Sequence, residues 1–485
     1  MIDSPHRALP RSPRSNPILN RADWEAQRAA FAADPGAFFA TIARSAIHWY
    51  DPDLTAWIAF DEGAATWRGI DARSGQTIDL PYAAEHLPWQ RTFEGDDPPF
   101  YRWFVGGQTN ACFNEVDRHV LMGFGDEVAY YFEGDRWDSS LNGGRGGPVT
   151  TELVTRRQLL VEVVRAAQVL KNLGLKRGDR IALNMPNILP QIYYTEAAKR
   201  LGIIYTPVFG GFSDKTLSDR IHNAGARVVL TSDGGYRNAQ IVAYKEQYTD
   251  QALDKFIPVE TAFALVEQAL EELQQKSGVR RQASNAEQAE DGVDAQRKDS
   301  APSTLSAVQI SMAHCATILE HVRAAIQDDI TVERSDVMRG VGQALAALND
   351  LDAMTQAQVR TAIARALVAA PPRVDAVVVV RHTGQDILWR PERDCWSHEL
   401  LAEASEQLLA NARTAGIDVQ SEQELLALPD DRLVRALYAS VPCTPLDSGI
   451  SAVYIYTLGR HRKPKGVVHV PWRLCRRPGA YQGRG

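Results

Sequence analysis

Cysteine is scarce in this sequence, and its spacing argues against two kinds of site. The 485 residues include five cysteines, and no two of them form the Cys-x-x-Cys pair of zinc and redox motifs. Small disulfide-stabilised domains need a denser framework of cysteines. The sequence therefore predicts a chain from a reducing compartment, which we take to be the cytoplasm, with no metal site of its own.

Long apolar runs and a strong net charge are missing as well. No run approaches the roughly 20 apolar residues that span a bilayer, and the arginine-bearing N-terminus lacks the apolar core of a signal peptide. A net charge of −7 gives no general reason to bind nucleic acid or an anionic membrane, so neither is expected as a partner. The length allows two or three domains.

Residues 151–255 carry the clearest structural pattern, in which short apolar runs alternate with helical periodicity. Thr155 is a good N-cap for a helix, and Gly174 is a good stop after it. The apolar runs, which predict strands, lie at 181–183, 203–209 and 228–230. This alternation predicts an α/β fold with a parallel sheet flanked by helices.

Residues 1–150 carry less pattern. Helical periodicity covers 22–49 in two pieces, and Asp34-Pro35 is a good start for the second piece. Residues 51–100 are rich in tryptophan, proline and acidic residues, and we predict an irregular conformation for them. The sequence at 127–133 is typical of a strand. A helical and irregular segment is therefore expected before the α/β unit.

A basic turn that contains glycine lies near the end of the chain. An apolar run at 453–456 precedes it, another begins at Val467, and between them stand Gly459, Gly466 and four lysines or arginines. This pattern predicts strand, turn and strand. Backbone N–H groups and lysines in such a turn suit a triphosphate. It is not a Walker-type loop, because no Gly-Lys-Ser/Thr opens a helix, and a plain basic surface turn is the alternative.

The turn resembles the phosphate loop of AMP-forming acyl-CoA synthetases. The matching residues are Tyr456, Thr457, Gly459, Lys463, Pro464, Lys465 and Gly466. Leu458 and residues 460–462 differ from the family, which has small hydroxyl residues and a second glycine there, and Leu458 and Arg462 are expected to crowd the loop. The resemblance implies that ATP is held by Thr457, Gly459, Lys463, Lys465 and Gly466.

Two more stretches resemble the short-chain members of this family. Residues 99–119 are similar to the N-terminal segment of acetyl- and propionyl-CoA synthetases, with Trp-Phe-x-Gly-Gly followed by Val-Asp-Arg-His. Arg237 stands in a turn where short-chain synthetases place an arginine near the 3′-phosphate end of CoA, while Gln240 replaces a second basic residue. A solvated loop arginine is the alternative for Arg237. The turn that contains Arg237, together with the insertion described below, most resembles the synthetase portion of propionyl-CoA synthases.

The resemblance implies the N-terminal part of the large domain of an adenylate-forming synthetase. In that family a small carboxylic acid (here acetate, propionate or 3-hydroxypropionate) reacts with ATP and Mg²⁺ to give acyl-AMP, and CoA then displaces AMP. Positioning and charge neutralisation by metal and lysine drive such chemistry. No catalytic residue can be assigned in this sequence.

A long segment, residues 256–371, interrupts the family pattern, which resumes over 372–469. The segment has helical periodicity at 263–273, 308–326, 336–348 and 355–368. Residues 277–303 have almost no large apolar side chains, which predicts a disordered link. The apolar faces of the helices either pack on one another in a subdomain or dock a protein partner, and self-packing is favoured.

The last residues, 470–485, have no apolar periodicity and are unlike a strand–helix unit of the family. A shifted reading frame would account for them. The small C-terminal domain that the resemblance implies, with its catalytic lysine, is expected to be absent. We therefore expect a truncated synthetase without turnover of its own. The alternatives are a non-catalytic module with a partner at the inserted helices, or an unstable product.

Overall fold

The structure is a computed structural model of the chain. It describes residues 20–97, 101–210, 213–237, 240–290, 310–326, 330–370, 373–449, 453–458 and 464–469, and for 276–290, 453–458 and 464–469 it describes the backbone alone. The predicted tail at 470–485 lies outside these residues. Within the described part of the chain, no helix is long and apolar enough to cross a membrane.

An antiparallel sheet dominates the N-terminal part of the chain. It is preceded by helices α1 (Arg21–Ala33) and α2 (Pro35–Ala46), the second capped by Asp34 as predicted. The strands that follow are β1 (Trp49–Asp51), β2 (Ala56–Asp61), β3 (Thr66–Asp71), β4 (Thr77–Asp79), β5 (Arg91–Glu94), β6 (Arg102–Val105) and β7 (Gln108–Thr109). In one sheet β7, β1, β2, β3 and β4 are neighbours in that order, and β5 pairs with β6.

The prediction of irregular chain over 51–100 was therefore wrong. Buried tryptophans hold the sheet from both faces: Trp57 stacks on Phe113 at 4.3 Å between ring centroids, and Trp67 lies in a second core on the other face. Aspartates close the turns, since the Asp61 carboxylate accepts hydrogen bonds from the N–H groups of Gly63 and Ala64. The strands are short and their turns are acidic. The overall composition of the segment therefore resembled that of an irregular chain.

A helix containing two π-helical turns, Phe113–Asp117 and Val120–Phe124, follows β7. The connection to the main sheet contains β8 (Val128–Glu133), β9 (Trp137–Asp138), the single turn α3 (Leu141–Gly144), β10 (Gly147–Pro148) and β11 (Thr151–Thr155). The strand predicted at 127–133 is thus confirmed as β8, which pairs with β11.

Helices and parallel strands then alternate as predicted. The elements are α4 (Arg156–Asn172), β12 (Arg180–Asn184), α5 (Leu189–Leu201), β13 (Ile204–Pro207), α6 (Asp214–Ala224), β14 (Val228–Ser232), β15 (Gly235–Arg237) and β16 (Gln240–Val242). Thr155 caps α4 through Gln158 N and forms a capping box. Every residue of β14 is buried, as expected for a strand covered on both faces.

The segment predicted as an insertion is mainly helical. After a π-helical turn, Tyr244–Asp250, come α7 (Gln251–Asp254), β17 (Phe256–Pro258), α8 (Val259–Glu290), α9 (Met312–Ala325), β18 (Thr331–Glu333), α10 (Arg334–Ala347) and α11 (Ala353–Val368). One hydrophobic cluster, drawn entirely from residues between Ile257 and Leu367, forms its core. The helices therefore pack on one another.

The prediction of a disordered link at 277–303 is wrong over its first half. Helix α8 continues to Glu290. Alanine, glutamate, glutamine and arginine are abundant over these residues, and they favour a helix even without apolar partners. Low hydrophobicity alone did not distinguish a polar helix from a disordered chain. Residues 291–303 lie outside the described part of the chain.

The chain then returns to the main sheet. The remaining elements are β19 (Ala376–Val380), β20 (Asp394–Trp396), α12 (Ser397–Thr414), α13 (Glu422–Leu426), α14 (Asp430–Tyr438), β21 (Leu446–Asp447), β22 (Val453–Leu458) and β23 (Pro464–His469). The sheet has the order β20-β19-β14-β12-β13-β22-β23. All neighbours are parallel except β22 and β23, which confirms the α/β prediction with a parallel sheet.

Candidate functional site

The carboxyl ends of the parallel strands meet at one edge of the main sheet. Strand β14 ends there at Ser232, and β13 ends there at Pro207. Strand β22 is parallel to β13, so its last residue, Leu458, lies at the same edge. Loops at this edge are where open α/β sheets bind ligands. The hairpin with Arg237 follows β14 and the basic turn follows β22, so both follow strands that end at this edge.

Arg237 lies at the end of a short hairpin in which it pairs with Gln240. Its side chain is exposed. The neighbouring Tyr236 contacts His382, with 5.8 Å between ring centroids. Burial raises the pKa of Tyr244, and the positive charge of Arg237 lowers it in part. The structure thus gives Arg237 an open position, where an anion can reach it.

Side chains pack closely on two glycines around this hairpin. A Cβ on Gly234 would lie 2.4 Å from Gln385 Nε2 and 2.6 Å from Thr383 Oγ1, and a Cβ on Gly210 would lie 2.1 Å from Tyr244 Oη. A larger residue at either position would therefore require these side chains to move.

Asp233 joins the end of β14 to the turn that follows β19. Its buried carboxylate accepts hydrogen bonds from the N–H groups of His382 at 2.8 Å, Thr383 at 3.0 Å and Gly384 at 2.7 Å. It also accepts one from Gly234 N at 2.7 Å. Sequence reasoning missed this residue. The only signal was an aspartate placed directly after a buried strand.

Strands β22 and β23 pair with each other antiparallel, which confirms the two strands predicted on either side of the basic turn. In this hairpin Thr457 is opposite Lys465, and Tyr456 is opposite Gly466. Gly459 and Lys463 lie outside the described residues. Strands β14 and β22 are three strand spacings apart, which is about 14 Å. The two predicted anion-binding stretches therefore follow strands that end at the same edge of the sheet but are not neighbours in it.

A buried cluster away from this edge contains residue types that bind metals. Cys112, Asp117 and Cys443 bring their ligand atoms within 4.8 Å of one another. However, Arg200 Nη1 donates to both Asp117 carboxylate oxygens at 2.8 Å, and burial raises the pKa of both thiols. A cation would have to displace a guanidinium and two thiol protons. The cluster therefore acts as an ion pair whose carboxylate also accepts hydrogen bonds from the thiols.

Two family models match this chain. Residues 146–319 match the AMP-binding enzyme family. Residues 85–114 match the acetyl-coenzyme A synthetase N-terminus, a range that overlaps the resemblance noted at 99–119. The first match runs past residue 256 into the segment that we treat as an insertion. The basic turn at 456–466 lies beyond both matches.

Curated relatives agree with these matches. The acetyl-coenzyme A synthetase of Streptomyces coelicolor is 40% identical over 176 residues, which is 36% of this chain and 25% of the relative. That of Pyrobaculum arsenaticum is 38% identical over 193 residues, covering 39% and 28%, and that of Mycolicibacterium smegmatis is 40% identical over 177 residues, covering 36% and 18%. The chain thus spans about a quarter of the length of the curated relatives that it matches.

Proposed function

We propose that this chain carries the nucleotide- and CoA-binding front part of an AMP-forming acyl-CoA ligase. The observation that carries the proposal is the shared sheet edge: the basic turn after β22 and the arginine hairpin after β14 leave the sheet on the side where such folds bind ligands. The two family matches and the acetyl-coenzyme A synthetase relatives support it.

The proposed reaction has two halves. The carboxylate of a small acid attacks the α-phosphate of ATP, which enters as its Mg²⁺ complex, and this step gives acyl-AMP and pyrophosphate. The CoA thiol then attacks the acyl carbonyl and releases AMP. In the first half the protein positions the triphosphate and neutralises its charge.

Each candidate residue has a role in this scheme. The ammonium groups of Lys463 and Lys465 hold the triphosphate, together with Thr457 and the backbone N–H groups of Gly459 and Gly466. Arg237 receives the 3′-phosphate end of CoA, and its exposure at the ligand-binding edge supports that role.

The acid that we propose is acetate, propionate or 3-hydroxypropionate. The relatives named for acetyl-coenzyme A favour acetate, whereas the resemblance to propionyl-CoA synthases favours the larger two acids. We also propose a cytoplasmic location, because the four cysteines that the structure describes are free thiols.

The test is Mg-ATP binding by the full 485-residue chain, while pyrophosphate exchange with each of the three acids is expected to be absent, because no catalytic residue is assigned in this chain. Lys465→Gln removes one proposed phosphate contact and is expected to weaken Mg-ATP binding about tenfold. Lys176→Gln is the matched control, because Lys176 is an exposed lysine just before the amino end of β12. Absence of Mg-ATP binding by the wild type, or equal binding by both variants, would refute the proposal and favour a non-catalytic module.

A further inference from the structure

The stretch from Trp103 to Asp117, which we call the N-terminal motif, has no role in the chemistry proposed above. In the folded chain it contacts residues 441–448, which we call the approach segment. That segment ends five residues before β22 begins, and β22 leads into the basic turn. The N-terminal motif is thus packed against the part of the chain that leads to the proposed triphosphate site.

The upstream half of the approach segment is held by Asn110 and Arg200. The Asn110 amide donates to Thr444 O at 2.8 Å and to Lys199 O at 2.9 Å. Arg200 Nε donates to Val441 O at 2.7 Å, and Arg200 O accepts from Thr444 N at 2.9 Å. Asn110 and Arg200 are completely buried, so these bonds do not compete with water.

Asp117 fixes the orientation of the Arg200 guanidinium. Its carboxylate receives both hydrogen bonds from Nη1, and it also accepts one from Tyr438 Oη at 2.9 Å. The side chains of Asp117 and Arg200 are both 0% exposed. A buried, oriented ion pair of this kind leaves Nε of Arg200 directed at Val441 O.

The downstream half is held by the backbone of the N-terminal motif. Strand β21 pairs with β7, so that Leu446 is opposite Thr109. Ser448 N donates to Gly107 O at 3.0 Å, and Ser448 Oγ donates to Phe104 O at 2.8 Å and to Trp103 O at 3.0 Å. Among the described residues, β22 itself is registered to the parallel sheet through a single pair, Tyr205 with Val453. The place of the start of β22 therefore depends on how the approach segment is held.

We propose that the N-terminal motif positions the basic turn for ATP, with Asn110, Arg200 and Ser448 as positioning residues. This inference rests on the proposed function, because the benefit of a fixed turn is a preorganised triphosphate site. The motif contributes by fixing the start of β22, and none of its residues needs to contact the nucleotide.

The test uses the full chain, two variants of these residues and one matched control. Ser448→Ala removes only the hydroxyl that donates to two carbonyls, and Asn110→Ser removes the amide that reaches Thr444. Ser405→Ala is the control, because the buried Ser405 hydroxyl has no hydrogen-bond partner among the described residues. We expect both positioning variants to bind Mg-ATP about fivefold more weakly and to exchange amide protons faster over 453–469. CoA binding and exchange in β14 are expected to match the wild type.

Amide exchange separates this inference from the proposed function. A wild-type chain that fails to bind Mg-ATP refutes the proposed function, while exchange over 453–469 still decides whether the motif holds the turn. Wild-type exchange over 453–469 in both positioning variants would overturn the inference. A general rise in exchange across the sheet together with lowered thermal stability in both variants would overturn it too, because that result describes a loss of fold and not a displaced turn.

Discussion

The Lys245 ammonium lies 2.8 Å from the Asp394 carboxylate, and this pair links the chain before the helical subdomain to the chain after it. Both side chains are 0% exposed. Lys245 also pairs with Asp250 at 2.9 Å and donates to Leu388 O at 2.6 Å. The two ends of the interrupted α/β unit are thus joined by a buried charge network beside the subdomain.

We expect Lys245→Met to destabilise the protein by about 3 kcal/mol, because it leaves the buried Asp250 and Asp394 carboxylates with Arg393 as their one remaining cation among the described residues. Urea unfolding followed by circular dichroism measures the change. The control is Lys255→Met, since the Lys255 side chain is 44% exposed in its pair with Glu333 and an exposed pair contributes well under about 1 kcal/mol. Equal losses of stability in the two variants would show that the buried pairs of Lys245 contribute no more than an exposed pair does.

The helical subdomain is expected to be removable. Arg373 Nη1 lies 3.4 Å from Phe256 O, so the two ends of the subdomain are within the length of one arginine side chain. Replacing residues 259–370 by a short glycine–serine linker should leave a chain that unfolds cooperatively, with some stability lost through contacts such as that of Thr331 with Asp219.

Circular dichroism shows whether the chain that lacks residues 259–370 and the isolated 256–371 segment each fold. Because the subdomain has its own hydrophobic cluster, we expect a helical spectrum from the isolated segment. Failure of both pieces to fold would mean that the segment is an integral part of the α/β domain. The family match that continues to residue 319 makes this experiment informative.

Arg237→Gln is expected to weaken CoA binding about tenfold, because an arginine–phosphate contact is a charge-assisted hydrogen bond. Arg227→Gln is the matched control. Arg227 precedes β14, at the opposite end of that strand, and it already pairs with Asp179 and Asp375. Calorimetric titration with CoA and with dephospho-CoA measures the effect. An Arg237 variant that loses affinity equally for both ligands would contradict a contact with the 3′-phosphate.

His48 is expected to make the fold sensitive to acid. Desolvation by the surrounding protein, together with the charges of Arg118 and His119, lowers the pKa of His48 to about 3 from an ordinary value of 6.5. Below pH 6.5 the unfolded chain therefore binds a proton at His48, whereas the folded chain does not bind this proton until about pH 3. Stability should fall through this window as pH falls, by up to about 1.4 kcal/mol per pH unit.

Urea unfolding between pH 7 and pH 4 measures this dependence. His48→Gln cannot take up a proton, so its stability should change less over that range than that of the wild type. His222→Gln is the control, because His222 is partly exposed and pairs with Glu260 at 2.9 Å. If stability depends on pH in the same way in His48→Gln as in the wild type, other groups cause the acid sensitivity.

Local patterns in the sequence were sufficient for the parallel sheet and its helices. The Thr155 cap depends on residues within one turn of it, and the apolar run at 228–230 correctly predicted the buried strand β14. The hairpin around the basic turn was also predictable, because two apolar runs flank a turn rich in glycine and proline. Each of these signals is local in the chain.

The remaining features depend on partners far away in the sequence. Arg200 gave no signal on its own, since its role depends on Asp117 and Val441. The sheet over 51–100 was missed because its tryptophans are buried against residues such as Phe113, while its turns carry the acidic residues that dominate the composition. The candidate phosphate-binding residues of the basic turn could be identified only through a resemblance to a family.

The bonds that Asp233 receives come from main-chain N–H groups, and this decides which substitutions evolution and engineering can use at that joint. His382 and Thr383 contribute no side-chain atom to these bonds, but the His382 ring contacts Tyr236 and Thr383 Oγ1 accepts a hydrogen bond from Gln385. Asp233 itself, and Gly384 with its φ of 74°, cannot be replaced without disturbing the joint. Substitution of His382 or Thr383 therefore costs side-chain contacts at this edge, while the main-chain bonds to Asp233 remain available.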